Sequence, residues 1–181
     1  IVYDELEASE AVRWEWLLHS PTEFKMDATK KTLSTNNKTK GWVAVTQLFG
    51  GHVFTLSQTD RFVVPPAITG AEYPNQWHLT ARVDGCSATR FLAIIQVGDE
   101  AVSIINRDGD TFNVGDWTVK AVLDASKAPE LTVSHRTEQA VFSYGTDNPA
   151  LNGNFYSRQY TGSSLLYDEI DGVYQVVEMT D

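Results

Sequence analysis

Few residues in this chain are of a type and spacing that could do chemistry by themselves. The four histidines, His19, His52, His78 and His135, are scattered, and none stands at metal-ligand spacing from another. There is no HExxH, no GxSxG, no phosphate-binding P-loop and no dinucleotide fingerprint. Asn106-Arg107-Asp108-Gly109-Asp110 is oxygen-rich like the start of a calcium loop, but the closing bidentate Glu is missing. A hairpin turn is the expectation there. The single cysteine, Cys86, sits in Asp84-Gly85-Cys86-Ser87, which reads as a turn with no base near it. A thiol needs an electropositive setting to react, so Cys86 is read as structural. Lys25, Lys30, Lys31, Lys38 and Lys40 form the one basic stretch. They read as the solvated face of a long hairpin with its tip at Asn36–Lys40, where edge lysines also block unwanted pairing.

Aromatic residues number 20 of 181, or 11%. Exposed Trp and Tyr faces stack on the apolar C–H faces of sugars, so the glycan-contact candidates are aromatics beside loops, with polar neighbours. Trp77, His78 and Arg82 follow one long loop. Tyr156, Arg158 and Tyr160 follow another. Trp42 is less easily placed. Trp14 and Trp16 share a face with Val12 and Leu18 and are expected in the core.

The elements that would position these residues are strands. Val12 to His19 alternates apolar and polar with period 2, the pattern of a half-buried strand. Gly41–Phe49 and His52–Leu56, separated by Gly50-Gly51, are expected to form a hairpin. Gln76–Val83 and Arg90–Val97 read as two further strands, the second buried on both faces. Others are expected over 101–105, 117–123, 131–135, 140–144, 164–167 and 173–178. Asp108-Gly109, Gly98-Asp99 and Asp171-Gly172 mark turns, the last a type I′ hairpin. The segments 64–75 and 145–154 carry the composition of long loops. The fold class expected is all-β, an antiparallel β-sandwich of two layers, with a subdivision near 64–75 as the one alternative to a single region over 1–181.

Composition bounds the rest. With 14 Lys+Arg against 24 Asp+Glu the formal charge is −10. That argues against nucleic acid and anionic membrane as partners, since both need a basic face. It also argues, more weakly, against an acidic polysaccharide held by bulk charge. No apolar run approaches the roughly 18 residues of a membrane span. One cysteine excludes an internal disulfide framework. The chain opens Ile1-Val2-Tyr3 inside what reads as a strand, and is expected to be a piece of a longer protein.

Ile1-Val2-Tyr3-Asp4-Glu5-Leu6-Glu7-Ala8, followed by Trp14-Glu15-Trp16-Leu17-Leu18-His19-Ser20, resembles a strand pair in the β-sandwich part of heparinase II/III-like polysaccharide lyases. Gln76-Trp77-His78-Leu79, followed by Arg90-Phe91-Leu92-Ala93-Ile94-Ile95, is similar to a stretch near the C-terminus of the same enzymes. The resemblance covers roughly the first hundred residues in patches, and its motifs are structural. It implies a multi-domain enzyme that cleaves uronate-containing glycans by β-elimination. In such enzymes a Tyr or His removes the C5 proton and an acid protonates the leaving oxygen. Those groups, and a metal where one is present, come from segments preceding the Asp-x-Leu strand. The expectation is therefore a non-catalytic β-sandwich with no cofactor of its own and His19 in a supporting role. Its partners would be the preceding domains of the parent chain and an acidic polysaccharide, in the periplasm or outside the cell. A free-standing carbohydrate-binding or adhesion module is the reading kept beside it.

Overall fold

The computed structural model describes residues 1–37, 42–61, 75–98, 102–137, 140–145 and 147–180, with the side chains of Asn37 and Trp42 left out. Among them every regular element is a strand. The all-β, antiparallel class expected from the sequence is the one the chain adopts. It forms two compact units, Ile1–Val102 and Ser103–Asp181. The division falls at 102/103 rather than near 64–75. The strands before and after that segment are paired with each other, which holds them in one unit.

The first unit is one antiparallel sheet of six strands. They are β1 (Val2–Ser20), β2 (Lys25–Asp27), β3 (Thr32–Asn37), β4 (Trp42–Gly50), β5 (Thr55–Thr59) and β6 (Trp77–Gly98). β6 takes β1 along one side; on the other it takes β4 at Phe91–Gly98 and β5 at His78–Arg82. The two strands expected over 76–83 and 90–97 are therefore one 22-residue strand. Asp84-Gly85-Cys86 is not a chain reversal but a bulge within it. Gly85 has φ +73°, which only glycine adopts without strain. The β1–β6 register shifts here, around Val12.

This bulge folds the ribbon over. Trp16 Nε1 donates to Asp4 Oδ2 at 2.9 Å. On a straight strand twelve residues span about 40 Å. β1 and β6 therefore bend back together, and their two halves face one another as two layers. The core lies between them. Leu48, Phe91 and Ala93 of one layer pack with Phe54, Ala81 and Val83 of the other, and Leu6, Trp14, Trp16 and Leu56 close the cluster. The rings of Phe54 and Phe91 meet edge to face at 5.9 Å. Phe24, Leu33 and Leu79 form a second cluster, covered by Trp16, Leu18 and Trp77.

The fold-over also overturns the Gly50-Gly51 hairpin. β4 and β5 do not pair with each other; both run antiparallel to β6, one beside each half. The glycines lie where the chain passes from one layer to the other, a corner of the kind made by strands that switch sheets. Elsewhere period 2 holds. Val12, Trp14, Trp16 and Leu18 are half-buried while Arg13, Glu15, Leu17 and His19 are exposed. Thr89 through Ile94 are all buried, but Ile95 and Val97 are exposed, so the run expected over Arg90–Val97 is covered on both faces only in its first part.

The second unit is a seven-stranded antiparallel sheet in the order β15-β14-β11-β10-β9-β8-β7. It comprises β7 (Ile105–Asp108), β8 (Thr111–Val114), β9 (Trp117–Ala121), β10 (Glu130–His135), β11 (Ala140–Gly145), β14 (Ser164–Ile170) and β15 (Val173–Met179). Of the run expected over 101–105, residue 101 lies outside those described, 102–104 are not strand and β7 begins at Ile105; β8 was not foreseen. A small hairpin, β12 (Ala150–Leu151) with β13 (Asn154–Phe155), interrupts the segment expected as a loop. Asn106–Asp110 is the hairpin turn expected of it, with Asp108 opposite Thr111. Ile170 pairs with Val173, and Asp171 and Gly172 both have positive φ, 52° and 78°. That is the type I′ signature. Val141, Leu151, Leu165 and Tyr167 form the cluster on one face of this sheet, with Tyr156 and Val176 against it. The turn at Gly98-Asp99 and the segment 64–75 fall on, or largely on, residues outside those described, as does the hairpin tip at 38–40.

Candidate functional site

The residues singled out for glycan contact fall in both units, and each group has its own surroundings. Trp77, His78 and Arg82 lie on β6, but alternation separates them. Trp77 faces inward onto the Phe24–Leu33–Leu79 cluster. Its indole is packing rather than a stacking platform. His78 and Arg82 face outward. The register sets three rows on this outer face, each with one residue from β1, β6 and β5: Glu15–Arg82–Thr55, Leu17–Thr80–Ser57 and His19–His78–Thr59.

Arg82 donates from Nε to both carboxylate oxygens of Asp84, at 2.9 and 2.8 Å. Arg13 reaches the same carboxylate at 3.0 Å. The hydrogen bond from Arg82 and, after it, the one from Arg13 hold the Asp84 carboxyl below the usual carboxylate range. The same contact raises Arg82 above its ordinary value. All three side chains are exposed, so the cluster is an ion triad open to solvent. In the next rows stand hydroxyls and imidazoles. The rings of His19 and His78 lie with centroids 4.5 Å apart. Sequence reasoning treated the histidines as unconnected; the β1–β6 register brings these two together.

In the second unit Tyr156 and Arg158 are spent on the structure itself. Tyr156 packs against the Val141–Leu165 cluster, its ring 6.0 Å from that of Tyr167, and its hydroxyl donates to Glu178. The Arg158 guanidinium donates to the Ser143 and Ser163 hydroxyls, both at 2.8 Å, and to the carbonyls of Asp147 and Ser163. A fork so occupied has no donor left for a ligand. Glu178 gathers the other end of the network. It accepts from the Ser163 hydroxyl, from the backbone N–H of Gln159 and Tyr160, and from Tyr156. Burial pushes its carboxyl up, but these four donors outweigh that and leave it below its ordinary value. Tyr160 and Phe155 remain exposed, at 56% and 78%.

A further feature was not singled out in the sequence. A cavity of about 240 Å³ opens in the first unit, lined by Thr22, Glu23, Lys25, Ser34, Thr35 and Asn36 among others. Thr22 and Thr35 share a hydrogen bond of 2.8 Å, and the buried Ser20 hydroxyl reaches Thr35 at 3.1 Å. Lys25, one of the basic group, thus lines a hydroxyl-rich hollow. Lys31, another, instead turns inward, its Nζ 2.9 Å from the Phe54 carbonyl and 4.9 Å above the Phe54 ring. Cys86 is half-buried against the Phe91 cluster, the structural placement expected.

No family model matches the chain. No curated protein matches it either.

Proposed function

We propose that this chain is the non-catalytic β-sandwich part of a polysaccharide lyase that cleaves uronate-containing glycans by β-elimination. It supports the catalytic domains and borders the substrate channel. One observation carries the reading. The two sequence patches that resemble heparinase II/III-like lyases are far apart in the chain, yet they are register partners along β1 and β6. Val2–Glu7 lies along Ala88–Ala93, and Trp14–Ser20 along Trp77–Val83. A likeness in two segments that form one ladder is more coherent than one in two unrelated strands. The preceding domains of the parent chain and an acidic polysaccharide are the partners on this reading, in the periplasm or at the cell exterior.

The test is an elimination assay that follows ultraviolet absorbance of the unsaturated uronate product. Substrates are heparin, heparan sulfate, alginate and ulvan. The chain is assayed alone and joined to whatever sequence precedes it in its gene. Activity in the longer protein alone supports the reading and names the substrate. Activity in this chain alone, or in neither protein, overturns it.

A second reading, a carbohydrate-binding module, draws on the Thr22–Thr35 cavity. Hydroxyls, an amide and one charge of each sign are the groups that hold a sugar by its own hydroxyls. The exposed aromatics Trp117, Phe155, Tyr160 and Tyr174 add less, because no register pair sets two of them side by side.

A further inference from the structure

His19 of β1 and His78 of β6 are direct register partners on the outer face of the first unit. Their ring centroids are 4.5 Å apart and their planes inclined by 31°. The geometry is imposed by the ladder, since opposed residues of antiparallel strands have Cβ atoms about 4.5–5.5 Å apart. Two imidazoles at that distance are suited to share one metal ion. An imidazole nitrogen binds a divalent metal at about 2.1 Å, which places the metal roughly 3.2 Å from the ring centre. Two such rings at a cis angle of about 90° then have centres roughly 4.5 Å apart, while a tetrahedral angle spreads them to about 5.2 Å. The observed separation of 4.5 Å lies within reach of one shared ion. Aiming the nitrogens at one ion takes a rotation of the rings about χ2, a broad torsion.

We propose that His19 and His78 form a two-imidazole chelate for a divalent transition metal, with Cu²⁺ preferred over Ni²⁺ and Zn²⁺. The preference for Cu²⁺ follows from the general affinity order for nitrogen ligands. Among the described residues no group of three or more His, Cys, Asp or Glu is placed to hold a metal, and in this proposal water takes the other positions. Thr59, the partner of His78 on β5, stands in the same row and supplies a hydroxyl to such a water. The other two histidines stand outside this row. His52 Nδ1 lies 3.2 Å from the Thr89 hydroxyl, and His135 packs edge-on against Trp117. A bound ion ties β1 to β6 at the end of the ladder away from the bulge, and so stabilises the folded ribbon by mass action.

The experiment is a Cu²⁺ titration of the intact chain by calorimetry, with electron paramagnetic resonance of the 1:1 complex. The expected result is one ion bound, with a spectrum of two equivalent nitrogen ligands. His19→Ala and His78→Ala should each weaken binding by about a hundredfold, because each turns an intramolecular second contact into none. His135→Ala should leave it unchanged. His19 is exposed, so its alanine variant folds as the parent does, which a metal-free melting curve verifies. Two observations overturn the proposal: His19→Ala binding Cu²⁺ as tightly as the parent chain, or a parent spectrum with a single nitrogen. The outcome is independent of any lyase activity.

Discussion

The guanidinium of Arg158 donates to the Ser143 hydroxyl across 2.8 Å, tying the segment after β13 to the middle of β11. Ser143 is fully buried, and Ser163, the other hydroxyl on the fork, nearly so. Arg158 is therefore a brace for the second unit. Arg158→Ala removes a charged donor from two buried hydroxyls and two carbonyls, and should lower stability by about 3 kcal/mol. Arg158→Lys should recover little of it, since one ammonium cannot serve the positions of a planar fork. Chemical denaturation followed by Trp fluorescence measures both variants. A glycan-contact role would give the opposite result, with stability unchanged and glycan binding weakened.

Arg158 also marks the limit of what the sequence discloses. Alternation made the strands legible, because period 2 follows from each chain segment's own contact with core and solvent. It placed Trp14 and Trp16 inside and ranked Arg90–Val97 as doubly buried, which holds as far as Ile94. The Asp171-Gly172 turn was legible because its dihedral angles need those residue types. Three features were not. The bulge at Gly85 reads as a turn, since glycine after Asp signals either, and contacts between distant residues such as Trp16–Asp4 and Phe54–Phe91 show the ribbon folded over. Gly50-Gly51 reads as a hairpin for the same reason. The polar side chains of the site depend on register between distant segments. His19 meets His78, and Arg158 meets Ser143 and Ser163, through pairings that no local pattern encodes.

Glu178 sets an acid limit on the second unit. Its native carboxyl releases the proton more readily than the unfolded one, because four donors favour the charged form over the opposing effect of burial. The native state thus binds fewer protons than the unfolded state, and stability falls as pH falls. The Glu178 contribution is fully present above about pH 4.3, the ordinary glutamate value, and is lost as pH drops from there through the lower native value. Glu178→Gln should be less stable at neutral pH and should flatten the pH dependence in that window. Urea midpoints between pH 7 and pH 3 for parent and variant give the comparison. Parallel curves would show that Glu178 is not the titrating brace.

Arg90 provides the sharpest test of the β1–β6 ladder. It stands directly opposite Glu5, with Nη2 3.3 Å from Oε1, and only 3% of its side chain is exposed against 36% for Glu5. A charged side chain in a run of buried residues costs desolvation, which the facing carboxylate offsets. Removing one member of a fully buried pair costs roughly 3–5 kcal/mol. The partial exposure of Glu5 lowers this, so Glu5→Ala is expected to cost about 2 kcal/mol. Replacing both, as Glu5→Leu with Arg90→Leu, should recover most of the loss, because no charge is then left in the buried run. If Glu5→Ala and the double variant unfold at the same denaturant concentration as the parent, the pair has no part in holding β1 on β6. A large loss in the single variant that the double variant reverses would identify the buried guanidinium as what makes Glu5 necessary.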